Sequence, residues 1–214
     1  MMIYIVAGGP VHRLPDLSQV KQENTVWVGV DRGVWTLLEN RITPSCAFGD
    51  FDSITRTEKE TIEARGITTF VYPDEKNETD LELALNWAFG QTPQEIILLG
   101  ATGGRLDHEL VNVQLLLKGL ENGIKMSIVD SQNKIELFAP GDYIIEGDEY
   151  FRYISFLAFT NIVEGITLSG FKYPLENATL KKGSTLCISN ELVKKNGTYS
   201  FSSGILMMIK SRDS

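Results

Sequence analysis

Val26-Trp27-Val28-Gly29-Val30-Asp31-Arg32-Gly33 is a short apolar run that ends at a carboxylate and opens a helical pattern over 33–40. The same handover recurs along the first half of the chain. Apolar runs at 3–7, 68–72, 96–99 and 125–129 read as buried strands. Between them lie helical patterns. Thr57-Glu58-Lys59-Glu60 opens one helix, which ends before Gly66, and Thr79-Asp80-Leu81-Glu82 opens another, which Gly90 stops. In each stretch the threonine hydroxyl and the glutamate carboxylate can satisfy an N–H of the first turn. An amphipathic run over 106–120, with Gly123 beyond it, is the longest helix. Strand and helix alternating in this way predict a parallel sheet covered on both faces.

After Asp130 the helical period stops. Turn signals recur instead at Pro140-Gly141-Asp142, Gly147-Asp148, Ser169-Gly170, Lys182-Gly183 and Asn196-Gly197. Between them are β-rich runs at 143–145, 150–159, 162–168, 186–188, 199–201 and 205–209. Asn196-Gly197 reads as a hairpin turn. Short strands at this spacing predict a small antiparallel sandwich or barrel. The expected architecture is an N-terminal parallel-sheet (Rossmann-like) α/β domain over 1–130, followed by a small antiparallel β-sandwich domain over 131–214. The boundary falls near Ser131-Gln132-Asn133.

Composition narrows the function. The net charge is −8, and the basic residues form no run beyond pairs such as Lys181-Lys182 and Lys194-Lys195. Such a chain lacks the basic face that nucleic-acid binding needs. Two cysteines and two histidines are too few for a usual zinc site and imply no disulfide framework. The N-terminus has no basic region ahead of its short apolar stretch, and no segment is long enough to span a membrane. A reducing cytoplasm is the expected location.

Four aspartates carry the chemistry: Asp31, the pair Asp50 and Asp52 in Gly49-Asp50-Phe51-Asp52-Ser53, and Asp80. Each has a bland explanation. Asp31 suits a helix N-cap, Asp80 a first-turn acid that complements the dipole, and Asp50-Phe51-Asp52 a polar loop. Their common placement favours a site, because loops at the strand ends of one parallel sheet converge on one edge. Gathered carboxylates repel unless a cation lies between them, and hard oxygen ligands suit Mg²⁺ carrying substrate phosphates. Asp50 and Asp52, at i and i+2, face the same side of an extended segment.

Gly100-Ala101-Thr102-Gly103-Gly104-Arg105-Leu106-Asp107-His108 follows a strand and opens the long helix. Glycine N–H groups at a helix N-terminus suit a phosphate, and Arg105 adds a planar donor fork. No Gly-Lys-Ser/Thr follows, so this is not a P-loop, and Ala7-Gly8-Gly9-Pro10 does not complete a dinucleotide fingerprint. Gly8 and Gly9 remain candidates for a second phosphate or sugar contact. Lys76, four residues before Asp80, can reach the same phosphates. His108 on a helix first turn is more often a packing or capping residue than a catalyst. The residues alone point to a Mg²⁺-dependent enzyme acting on a nucleotide.

Taken together, Gly29-Val30-Asp31-Arg32-Gly33, Gly49-Asp50-Phe51-Asp52-Ser53, Lys76-Asn77-Glu78-Thr79-Asp80-Leu81-Glu82 and Gly103-Gly104-Arg105-Leu106-Asp107-His108 resemble thiamine pyrophosphokinase of the bacterial type. The second half matches more loosely, through Ser169-Gly170-Phe171-Lys172-Tyr173-Pro174-Leu175 and Ser189-Asn190-Glu191. The resemblance implies transfer of diphosphate from ATP to the hydroxyethyl group of thiamine, leaving AMP, by a homodimer with sites between its subunits. It implies that Asp31, Asp50, Asp52 and Asp80 hold Mg²⁺, with Asp50, Asp52, Asp80 and Asp107 as catalytic candidates. Gly8, Gly9, Asp31, Arg32, Lys76, Thr79, Gly103, Gly104, Arg105 and His108 become the nucleotide and phosphate candidates. Tyr173, Ser189 and Asn190 match the thiamine segment, with Tyr173 where family members often carry tryptophan. Two rivals stand beside this reading. Asp50-Phe51-Asp52-Ser53 also resembles the signature of haloacid dehalogenase-type phosphatases, whose nucleophile normally ends the first strand. A non-catalytic ligand-binding module would explain the second half but not four clustered acids.

Overall fold

The structure is a computed structural model that describes residues 1–20, 23–49, 55–72 and 77–213. It divides into two compact units, Met1–Ser131 and Gln132–Ser214.

The first unit is a parallel sheet with helices. Its strands are β1 (Met2–Val6), β2 (Thr25–Val30), β3 (Cys46–Phe48), β4 (Thr68–Phe70), β5 (Glu95–Leu99) and β6 (Lys125–Val129). The helices are α1 (Arg32–Glu39), α2 (Arg56–Ala64), α3 (Asp80–Gly90) and α4 (Leu106–Glu121). The strand order is β4-β3-β2-β1-β5-β6, with every neighbouring pair parallel. Centrally placed β1 pairs with β2 and β5 through the same residue, Ile3, which faces Val26 on one side and Ile96 on the other. Ile3, Ile5, Val28, Ile96 and Leu98 are fully buried, which is why these strands are near-continuous apolar runs rather than alternating ones. Val34 and Leu38 of α1 pack with Ala47, Ile62 and Ile67. Leu37 of the same helix packs with Val6, Trp27 and Leu99. The chain lays down β1 to β4 in one direction and then returns to place β5 on the other side of β1. The order therefore reverses between β1 and β5, and a crevice opens beyond their carboxyl ends.

The second unit is an antiparallel sandwich, as expected. β7 (Asn133–Phe138) and β9 (Tyr153–Ala158) flank β13 (Leu206–Ser211). β8 (Gly141–Glu146), β10 (Ile162–Ser169), β11 (Leu175–Lys181) and β12 (Asn196–Phe201) form a second sheet in the order β11-β10-β12-β8. Its core joins Ile154, Phe156, Leu206 and Met208 to Val163, Ile166, Leu168, Tyr199 and Phe201.

Three local expectations are corrected. Residues 186–188 form a turn rather than a strand. Asn196-Gly197 is not a hairpin turn but the start of β12, where the two residues pair with Glu146 and Ile145. Helix α2 begins at Arg56, so Thr57 lies inside it, and the Thr57 carbonyl accepts the Thr61 hydroxyl at 2.8 Å. Among the described residues no helix is long and apolar enough to cross a membrane.

Candidate active site

The loops leaving β1 and β5 meet at the reversal of strand order. The Ala7 N–H donates to the Leu99 carbonyl at 2.8 Å, and the Gly9 N–H donates to the Gly100 carbonyl at 2.9 Å. A side chain at Gly9 would collide with that carbonyl, and Gly100 has φ +64, so this crossing requires glycine on both sides. Beyond it opens a cavity of about 580 Å³. Gly8, Gly9, Asp31, Arg32, Thr79, Asp80, Gly104, Arg105 and His108 all line it. Residues spread over a hundred positions of sequence thus share one crevice. Asp50, Asp52 and Lys76 lie outside the described residues.

Asp31 occupies the N-cap position of α1, but its side chain does not cap the helix. Its N–H donates to the Phe48 carbonyl at 2.9 Å, and its carbonyl accepts the Val34 N–H at 3.2 Å. The backbone is held at φ 50, ψ −124, a region that L residues avoid. In this conformation Asp31 Oδ1 lies so close over Gly49 (φ +146) that a Cβ there would clash. The Asp31 carboxylate is therefore placed against the residue that leads into Asp50. Asp80 is the first-turn acid its bland reading expects, and it also lines the cavity. Thr79 is the cap of α3, accepting the Glu82 N–H on its hydroxyl at 3.2 Å. Asp80 takes the first helical position and faces the cavity. Only half of the expected capping box forms there, because the Glu82 carboxylate pairs with Lys118 Nζ at 2.7 Å instead. Asp31 and Asp80 are hard oxygen donors of the kind Mg²⁺ prefers. Among the described residues no group of three or more His, Cys, Asp or Glu side chains is gathered closely enough to hold a metal.

The β5–α4 loop differs from its sequence reading in how its groups are engaged. Arg105 meets Asp107 through two bonds, Nη2 to Oδ2 at 2.6 Å and Nε to Oδ1 at 3.2 Å. The Arg105 guanidinium and the His108 N–H hold the Asp107 carboxyl below the usual carboxylate range, while the pair raises Arg105. Asp107 is not among the cavity-lining residues. The Gly103 N–H, expected to face a phosphate, donates to Glu109 Oε2 at 2.8 Å. Four residues of this region escaped the sequence reading: Thr102, Glu109, Asn112 and Asp130. Two of them carried a signal. Asn112 interrupts the apolar run Leu110-Val111-Asn112-Val113, and Asp130, like Asp31, stands directly after a strand.

In the second unit, Tyr173 is exposed and its neighbour Asn190 is buried. Asn190 brackets the Tyr173 backbone. Its Oδ1 accepts the Tyr173 N–H at 3.0 Å, and its Nδ2 donates to the Tyr173 carbonyl at 2.8 Å. Oδ1 also accepts the Glu191 N–H at 3.0 Å, so the side chain is occupied by main chain. Ser189 (φ 55) donates its N–H to Ser155 Oγ at 2.9 Å. Glu191 joins Arg152 at 2.8 Å and Lys172 at 3.1 Å, and Lys172 Nζ lies 5.6 Å from the Tyr173 ring centroid. This unit brings Tyr173, Ser189 and Asn190 into one patch, with Asn190 in a supporting position.

The phosphatase alternative fails on topology, since Asp50-Phe51-Asp52-Ser53 follows the third strand of the chain rather than the first.

Comparison with known proteins agrees with this geometry. Residues 17–128 match the family model "Thiamin pyrophosphokinase, catalytic domain". Residues 142–206 match "Thiamin pyrophosphokinase, vitamin B1 binding domain". The chain is 53% identical over 211 residues to a thiamine pyrophosphokinase of Bacillus subtilis (strain 168), with 99% of each covered. A crystal structure of thiamine pyrophosphokinase from Bacillus subtilis superposes with a TM-score of 0.96 at 50% identity, over 100% of both chains. Thiamin pyrophosphokinase from Candida albicans, at 18% identity, shares the fold with a TM-score of 0.82, over 99% of this chain and 89% of that one. The chain belongs to the thiamine pyrophosphokinase family and is an enzyme, a kinase-type transferase.

Proposed function

We propose that this chain transfers diphosphate from ATP to the hydroxyethyl group of thiamine, giving thiamine diphosphate and AMP, with Mg²⁺ as the cofactor. The observation that carries the reading is the crevice between the ends of β1 and β5, where glycine loops, helix N-termini and the acids Asp31 and Asp80 converge. The first domain, residues 1–130, takes the catalytic and nucleotide-binding role. The second, 131–214, binds thiamine and contributes to a homodimer in the cytoplasm.

Such transfers ask a protein mainly for positioning and charge stabilisation. Asp31 and Asp80, together with Asp50 and Asp52, are assigned to hold the ion. When bound, Mg²⁺ would neutralise charge on the triphosphate as the α–β bridge breaks. The N-termini of α1, α3 and α4 all open at this edge and favour an anion there. Arg32 and Arg105 add donors at the cavity wall, and Lys76 extends the set. The proton of the thiamine alcohol is assigned to a carboxylate near it, either one of the metal-site aspartates or Asp107.

The test is incubation with ATP, Mg²⁺ and thiamine, with products identified by mass. Thiamine diphosphate and AMP are expected in equal amounts. ADP with thiamine monophosphate would place the attack at the γ-phosphorus and overturn the reading. Asp80→Asn should lose most turnover with an unchanged circular dichroism spectrum.

A further inference from the structure

Three consecutive residues of the β5–α4 loop are each gripped by one side chain. The Ala101 carbonyl accepts Asn112 Nδ2 at 2.9 Å, the Thr102 hydroxyl donates to Asp130 Oδ2 at 2.7 Å, and the Gly103 N–H donates to Glu109 Oε2 at 2.8 Å. Asn112 and Glu109 project from α4, whereas Asp130 directly follows β6. Ala101 and Thr102 line the cavity, but Asp130 does not. Asp130 is only 3% exposed. Burying a carboxylate costs folding free energy unless hydrogen bonds compensate, and the Thr102 hydroxyl is one of the groups that compensate here. The effect of this bond is to tie the loop at one end of the crevice to the adjacent strand.

We propose that Asp130 is a positioning residue for the nucleotide: through the Thr102 hydroxyl it fixes the wall of the crevice against which the phosphates rest. The proposal depends on the reading that this cavity holds the triphosphate. It predicts a selective effect. Loosening the loop weakens nucleotide binding while the separate thiamine contacts persist.

The experiment compares the full-length wild type with Asp130→Ala, Asp130→Asn, Thr102→Val and the double variant Asp130→Ala/Thr102→Val. Steady-state kinetics are combined with calorimetry, using a non-hydrolysable ATP analogue and Mg²⁺, and with thermal melts. Asp130→Ala and Thr102→Val should each raise KM for ATP and the analogue Kd roughly tenfold, the scale of one lost hydrogen bond to a charged group. KM for thiamine should stay unchanged. Asp130→Asn, which keeps an acceptor oxygen, should recover most of the loss. The double variant should be no worse than the poorer single one, since both remove the same bond. If Asp130→Ala does not fold, Thr102→Val and Asp130→Asn still decide the matter. An unchanged analogue Kd in Thr102→Val, or parallel rises in both KM values with a falling melting temperature, would overturn the proposal. Wild-type protein that forms no AMP would instead overturn the functional reading itself.

Discussion

Asp31 sits at φ 50, ψ −124, where a residue with a Cβ is strained by about 1–3 kcal/mol. Glycine would adopt the same backbone without that cost, yet the chain carries an aspartate, and its carboxylate lies over Gly49. Strain kept at the mouth of a crevice is the pattern of a residue held for its side chain. Asp31→Gly is therefore expected to melt at the wild-type temperature or above it, while AMP formation collapses. A glycine variant that turns over normally would remove Asp31 from the site. The sequence identified Asp31 as a candidate from its place after β2, but backbone strain is invisible in a string of letters. The Arg105–Asp107 pair makes the same point in reverse. Both residues were legible as site candidates, but their mutual bond at 2.6 Å depends on how the loop turns before α4.

At the scale of elements, α3 brings Asp80 to the cavity, and its direction is set at its first turn. Thr79 satisfies the Glu82 N–H there. Thr79→Ala should lower stability by about 1 kcal/mol, the usual worth of such a cap, as read from a urea midpoint. KM for ATP should rise with it, since Thr79 and Asp80 share the cavity wall. A variant with wild-type stability would show that packing on the sheet alone holds the helix. Strands β1, β2, β5 and β6 were legible because burial on both faces makes them continuous apolar runs. β3 is only Cys46-Ala47-Phe48, too short to carry a period. β11 was missed because it lies at a sheet edge and reads Leu-Glu-Asn-Ala-Thr-Leu-Lys, with most side chains at least partly exposed. The run at 186–188 misled for the opposite reason. Cys187 is buried between exposed Leu186 and Ile188, which imitates strand alternation inside a turn.

For the whole molecule, the proposed homodimer is the property least visible in one chain. Leu106 and Leu110 are 67% and 56% exposed in the first unit, as are Ile144 (75%) and Val193 (60%) in the second. Single exposed apolar side chains are ordinary on a protein surface, so these exposures do not by themselves mark an interface. Sedimentation equilibrium is expected to return twice the chain mass, and a monomer at micromolar concentration would contradict the proposed assembly. Charge and composition, by themselves, counted against nucleic acid and against a usual zinc site. The alternation of strands and helices determined the parallel sheet, because periodicity records which faces are buried. Aspartates at strand ends determined which loops to watch. Only tertiary structure decided the rest. The reversal of strand order between β1 and β5 chose one edge position as the crevice, and Asp130 was joined to Thr102 across 28 residues of sequence. Those contacts are non-local: the chain specifies them through packing of the whole sheet, and no window of neighbouring residues contains both partners.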